Sequence, residues 1–139
     1  MDVDFGSLLF TFQGRINRAK YWLATITYIS ATIALTGLGF FFRFHMIFFV
    51  ITGVVFIAMI VSGLAVGIKR LHDRDKSGWW LLLFYLLPPV LDGLGRAIGI
   101  PLIFSLASVA VSIWALVELG FLRGTSGANK YGPDPLAGR

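Results

Sequence analysis

The chain has 139 residues, 57% of them apolar and only 14% charged, with no cysteine and a formal net charge of +5. Soluble domains carry nearer a quarter charged residues. A mean hydropathy of +0.81 therefore excludes a disordered, fibrous or soluble nucleic-acid-binding protein, despite a pI of about 10.0.

Asp2 and Asp4 stand where a cleavable leader would be basic, and the first long apolar run begins only at Tyr21. The first span is expected to act as its own insertion signal. Before it, residues 4–13 predict a short amphipathic interfacial helix, with Phe5, Leu8, Leu9 and Phe12 on one stripe and Gly14 at its end. Asn17 is placed to cap the next helix, and Arg18, Lys20, Tyr21 and Trp22 suit the headgroup level. The first transmembrane helix is predicted over 21–42, about 33 Å at a rise of ~1.5 Å per residue.

Arg43, Phe44 and His45 predict a tight turn, so the second span, 46–68, is expected as an antiparallel neighbour. A polar loop follows from Lys69 to Gly78, with Ser77 placed to cap the third helix and Trp79-Trp80 to anchor it. The third span, 77–95, is short and is predicted to kink at Pro88-Pro89, with Asp92 and Arg96 pairing at i,i+4. A re-entrant hairpin is its rival. The fourth span covers 101–122, and 124–139 reads as an irregular polar tail. Gly63-x-x-x-Gly67 and the face Ser105, Ser108, Ser112 let membrane helices approach closely, within the chain or between subunits. The predicted fold is an all-α integral membrane protein: one domain, 1–139, forming a four-helix transmembrane bundle with an N-terminal interfacial helix.

All but Arg43 and Arg96 of the 12 basic residues fall on one side if the chain crosses four times. The positive-inside rule then puts both termini in the cytoplasm. Six of these cations, Arg15, Arg18, Lys69, Arg70, Arg74 and Lys76, form the best candidate site. With His72 and Asp73 between them, they are expected to bind anionic lipid, a phosphate-bearing ligand or a partner protein. The plainer alternative is ordinary anchoring, with Asp73 and Asp75 neutralising Arg15, Arg18 or Arg70. Nucleic acid is not expected as a partner; a homo-oligomer or a place in a membrane complex is.

Glu118, inside the fourth span, is a candidate ion or proton relay. With the hydroxyl stripe Thr25, Tyr28, Thr32 and Thr36 it supports an alternative reading as a small transporter or channel. A third reading, an enzyme acting on a phosphorylated lipid through His72 and Asp73, lacks a metal set and a nucleophile–base pair. His45 and His72 are too few for most histidine metal sites, and there are no thiolates, so neither metal nor cofactor is expected.

Three motifs carry a family resemblance: Phe12-Gln-Gly-Arg-Ile-Asn-Arg-Ala-Lys-Tyr-Trp22, Lys69-Arg-Leu-His-Asp-Arg-Asp-Lys-Ser-Gly-Trp-Trp80, and the tail Gly124 to Pro135 with its Asn-x-Tyr-Gly-Pro-Asp-Pro run. In this order they look like the YhaH-type family of small bacterial inner-membrane proteins, a family of unknown function. The resemblance implies a bacterial inner-membrane location, a joint role for the three motifs, and no particular reaction. This sequence departs from it in the longer segment, with Asp92 and Arg96, between Trp80 and the tail.

Overall fold

A computed structural model describes residues 4–42 and 45–137. Most of the expected turn, Arg43 and Phe44, and the C-terminal Arg139 lie outside the described residues. Among those described the chain is all-helical: α1 (Phe5–Phe10), α2 (Arg18–Phe42), α3 (Met46–Asp73), α4 (Trp80–Ala97) and α5 (Pro101–Leu116), the last continuing as a π-helical turn, Val117–Phe121.

Helix α1 is shorter than its apolar stripe. Asp4 ends it on the N-terminal side, its carboxylate accepting from the N–H groups of Gly6 and Ser7. The helix stops at Phe10, ahead of Gly14, which instead takes φ +88° in the following loop. Only Leu8 of its stripe is buried. Asn17 caps α2 as expected, its Oδ1 accepting from the Lys20 N–H at 2.9 Å. That helix begins at Arg18, so the basic residues form its first turn.

The larger departure is in α3. Lys69 to Asp73, expected in a loop, complete its last helical turns. Polarity there marks where the apolar span ends, whereas the helix continues until the backbone turns, with Asp75 at φ 56°. Helix α4 likewise runs unbroken through Pro88 and Pro89. Ser77 Oγ accepts from the Trp79 N–H. The Asp92–Arg96 pair does not form: Asp92 turns toward α5 and accepts from Ser108 Oγ at 3.3 Å, while Arg96 is exposed.

Among the described residues three helices are long and apolar enough to cross a membrane, rather than the four expected: α2, α3, and α5 with its π-helical turn. At about 1.5 Å per residue α4 is ~27 Å long, but it carries Asp92 and Arg96 in its last turns. It packs along α5 as a helical hairpin, where Gly95 leaves room for Phe104 and Pro101. The first hairpin, α2 with α3, is antiparallel: Tyr28 bonds Ser62 at 2.6 Å, and Phe42 stacks on Phe48 at the other end.

The two hairpins meet at one end only. Leu71, Leu81, Phe84 and Leu119 form one buried cluster there, and Leu8, Ile16, Ala24 and Val66 another, with Tyr21 against both. Gly67 makes the α3–α4 approach possible, since a Cβ on it would press into Leu81 at 2.8 Å. Its motif partner Gly63 has nothing within 4 Å. Ser108 is buried against α4 and Ser112 bonds back to the Ser108 carbonyl, while Ser105 is exposed. Beyond this end the helices present apolar side chains outward, as lipid-facing surfaces do.

Candidate functional site

The predicted cationic residues do come together at that end, but most of them face inward. Arg70 is fully buried on α3. Its Nε donates to the Leu119 carbonyl at 2.7 Å, one Nη to the Leu122 carbonyl and the other to Asp73. Arg15 grips the other oxygen of Asp73 at 3.1 Å and donates to the carbonyls of Thr125, Gly127 and Gly132 in the tail. Asp73 thus binds two guanidinium groups, and all three side chains are at most 5% exposed. Groups so desolvated require near-complete pairing.

The acceptors reveal why so many cations are needed. A helix leaves its last carbonyls without intrahelical donors, and its C-terminus favours positive charge. Here five successive carbonyls at the end of the π-helical turn each receive a side-chain donor. Leu119 and Leu122 take Arg70, Gly120 takes Trp22 Nε1 at 2.9 Å, Phe121 takes Arg18 at 3.2 Å, and Arg123 takes Arg74. Lys69 does the same for α1, its Nζ donating to the carbonyls of Ser7 and Leu8, both at 2.7 Å. Gly120 admits the Trp22 ring: a Cβ there would stand 2.9 Å from it.

Glu118 joins this hub instead of standing alone in the span. It is buried and accepts from Arg74 Nε and Lys76 Nζ, each at 3.0 Å. Lys76 also lies over the Trp80 ring. In the hydroxyl stripe, Thr25, Thr32 and Thr36 bond the carbonyls four residues back in their own helix, and Tyr28 bonds Ser62.

His72 and Asp73 have separate partners. His72 Nδ1 lies 3.2 Å from the Gly14 carbonyl, and its ring stacks on Tyr131 at 3.8 Å. Asp75, expected among the partners of the buried cations, is exposed and pairs with Lys130 at 3.8 Å. The tail is held to the end of α3 by main-chain contacts. Thr125 donates its N–H and hydroxyl to the Asp73 carbonyl, and Asn129 Nδ2 donates to that of His72. Gly124 passes so close to the Asp73 carboxylate that a side chain there would overlap it. Asp134 shapes the tail from within. The N–H groups of Leu136 and Gly127 hold its carboxyl below the usual carboxylate range.

A cavity of about 190 Å³ stands open at the hub. It lies between the start of α2 and the tail, and Arg18, Arg123, Thr125 and Ser126 line it beside Asp73 and Asp134. The two carboxylates are already engaged, Asp73 by arginines and Asp134 by N–H groups. Arg18 and Arg123 have no carboxylate partner among the described residues. Asn17 and Arg18 also place the N-terminus of α2 at this cavity, where the helix dipole favours anions. Sequence reasoning missed Arg123, Thr125, Ser126 and the donor role of Trp22. The turn-forming Gly-Thr-Ser-Gly run was a signal of a shaped tail but not of what it encloses.

Fold and hub define a multi-pass helical membrane protein whose N-terminal segment, α3–α4 loop and tail interlock. The chain belongs to the DUF805 family, described as proteins of unknown function, which it matches over residues 9–133. It is 30% identical to the uncharacterised protein YiiR of Escherichia coli K12 over 131 residues, 91% of this chain and 86% of that protein. It is 30% identical to the Escherichia coli K12 inner membrane protein YhaH, over 89% of this chain and 86% of that one. It is 28% identical to the inner membrane protein YhaI of the same organism, over 91% and 87%. No solved structure matches.

Proposed function

We propose that this chain is a non-enzymatic inner-membrane protein that crosses four times, with both termini cytoplasmic, and binds the phosphate of an anionic lipid headgroup between Arg18 and Arg123. The observation that carries this reading is the contrast among its cations. Arg15, Lys69, Arg70, Arg74 and Lys76 are committed to internal acceptors. Arg18, which gives one Nη to the Phe121 carbonyl, and Arg123 have no carboxylate partner among the described residues and line an open cavity with two hydroxyls. Guanidinium pairs suit phosphate oxygens, and Arg18 reaches the Phe121 carbonyl, where the Trp22 and Phe121 rings meet edge to face.

The tail bonded to Arg15 supports an even number of crossings, with α4 and α5 passing out and back. The positive-inside rule then sets the side. Inner-membrane placement follows the names of YhaH and YhaI. Gly67 and Ser108 are engaged by α4 within the chain, so a lipid is favoured over a homo-oligomer. Relay through Glu118 has less support, because two cations fix that carboxylate.

Native mass spectrometry from vesicles of equal phosphatidylglycerol and phosphatidylcholine tests this. The natural chain is expected to retain phosphatidylglycerol, and Arg18→Glu with Arg123→Glu to lose it at least ten-fold. Equal retention by both overturns the headgroup site. Displacement by millimolar inorganic phosphate would show that free phosphate, rather than lipid, is the ligand.

A further inference from the structure

The cavity at the hub carries a negative group as well as two positive ones: Asp134 lines it together with Arg18 and Arg123. A carboxylate repels phosphate, so a site for phosphate alone has no use for it there. We propose that Asp134 accepts a hydrogen bond from a headgroup hydroxyl, so that the site selects a phosphodiester lipid whose alcohol keeps free hydroxyls, as the glycerol of phosphatidylglycerol does. This inference rests on the headgroup reading and adds to it the residue that tells one anionic lipid from another.

Two carboxylates line the cavity, and only one has acceptor capacity to offer. A carboxylate presents about four lone-pair sites. Asp73 takes three hydrogen bonds from Arg15 and Arg70, and the Gly124 backbone closes over it. Asp134 takes a single N–H on each oxygen, from Leu136 at 2.9 Å and from Gly127 at 3.0 Å. One lone pair on each oxygen is left, and the side chain is half-buried at the cavity. Those N–H groups, with Arg15 and Arg123 nearby, hold the carboxyl ionised at neutral pH, so it can only accept. Both N–H groups belong to the tail itself, so the carboxylate is set in place before any ligand arrives.

Charge decides which donor suits it. Asp73 is committed to Arg15 and Arg70. Arg18, Arg123 and Asp134 remain, two positive charges against one negative. The single negative charge of a phosphodiester balances that set. An ammonium donor, as in phosphatidylethanolamine, leaves the set in positive excess and brings a third cation beside two guanidinium groups. A phosphomonoester has no alcohol to reach Asp134 and adds negative charge next to it. A hydroxyl satisfies the carboxylate without disturbing the balance, and an analogue lacking the hydroxyl leaves the acceptor unpaired.

Phosphatidylmethanol is the discriminating probe, because it has the same singly charged phosphodiester and no hydroxyl. The full chain is released for native mass spectrometry from phosphatidylcholine vesicles holding equal phosphatidylglycerol and phosphatidylmethanol with matched acyl chains. The natural chain is expected to retain phosphatidylglycerol at least five-fold over phosphatidylmethanol. Asp134→Ala is expected to bring that ratio to about one, losing phosphatidylglycerol and keeping phosphatidylmethanol. Equal retention of the two by the natural chain overturns the proposal and leaves the headgroup site standing. A ratio that persists in Asp134→Ala overturns it as well, because a carboxylate that only shapes the tail changes both lipids in parallel. Retention of neither lipid above phosphatidylcholine overturns the headgroup reading and this inference together. With phosphatidylethanolamine in place of phosphatidylmethanol, a preference for the ammonium lipid overturns the hydroxyl assignment. Release of bound phosphatidylglycerol by millimolar glycerophosphoglycerol would keep that assignment and move it from a lipid to a free diester.

Discussion

From Ser62 to Asp73 of α3, eight residues are buried, among them Lys69, Arg70 and Asp73; from Met46 to Val61 none is. One helix therefore passes through two solvents. In its outer half hydrocarbon covers the side chains, and side-chain polarity is almost absent. In its inner half protein replaces water around charged groups, so every donor needs an acceptor. The hub meets that need with backbone: the carbonyls left over at the ends of α1 and the π-helical turn become the ligands of lysine and arginine. A basic cluster next to a membrane is thus not automatically a lipid-binding surface. In this chain it is chiefly the joint that holds two hairpins, an N-terminal helix and a tail together, with Arg18 and Arg123 at its rim.

The contrast is broken most severely at Arg70. Arg70→Ala leaves Asp73 half-paired and two carbonyls without donors, and is expected to destabilise by about 3–5 kcal/mol, measured by reversible unfolding in bicelles. Gly124→Ala forces the tail away from the Asp73 carboxylate and is expected to cost about 1–3 kcal/mol as overpacking, with faster proteolysis after residue 123. Trp22→Phe keeps an aromatic ring but removes the indole N–H bond to Gly120 and part of the packing on it, a loss of about 1–2 kcal/mol. A still smaller effect is confined to the tail. Because its folded-state pKa is depressed, the Asp134 carboxylate contributes stability above its ordinary value of 3.8 and loses it as pH falls through the lower, folded value. Hydrogen exchange at Gly127 and Leu136, corrected for intrinsic rate, should rise on acidification below that range and be insensitive to pH above 5 or so. At the other extreme, Thr32→Ala removes only a bond to the carbonyl of its own helix. It is expected to fall within about 0.5 kcal/mol of the natural chain.

The sequence made the apolar spans legible because hydropathy reports the solvent directly. Asn17 was also readable, since a cap acts within one turn. The end of α3 was not. Lys69 to Asp73 are mostly polar, and polarity near a membrane suggests a loop, but these residues are helical and their partners lie in segments about 50–60 residues away, as with Lys69 and Ser7 or Arg70 and Leu122. The Asp92–Arg96 pair failed for a similar reason. Local spacing permits it, yet tertiary contact with Ser108 decides where Asp92 points. Gathering the basic motifs at one end was within reach of charge patterning. Telling buried cations from exposed ones was not, because Arg15, Arg18 and Arg70 differ only in what folds over them.

The thermal midpoint in nanodiscs, with and without phosphatidylglycerol, tests that distinction in one measurement. A ligand that binds only the folded state raises the midpoint. Arg70→Gln is expected to lower the midpoint in both lipids while keeping the rise that phosphatidylglycerol causes. Arg18→Gln with Arg123→Gln gives up only the exposed bond to the Phe121 carbonyl, so it is expected to lower the midpoint in phosphatidylcholine far less than Arg70→Gln does, and to lose the rise. If the Arg18 and Arg123 changes lower the midpoint as much as Arg70→Gln does, or leave the lipid-dependent rise intact, the division into a structural hub and a binding rim is wrong.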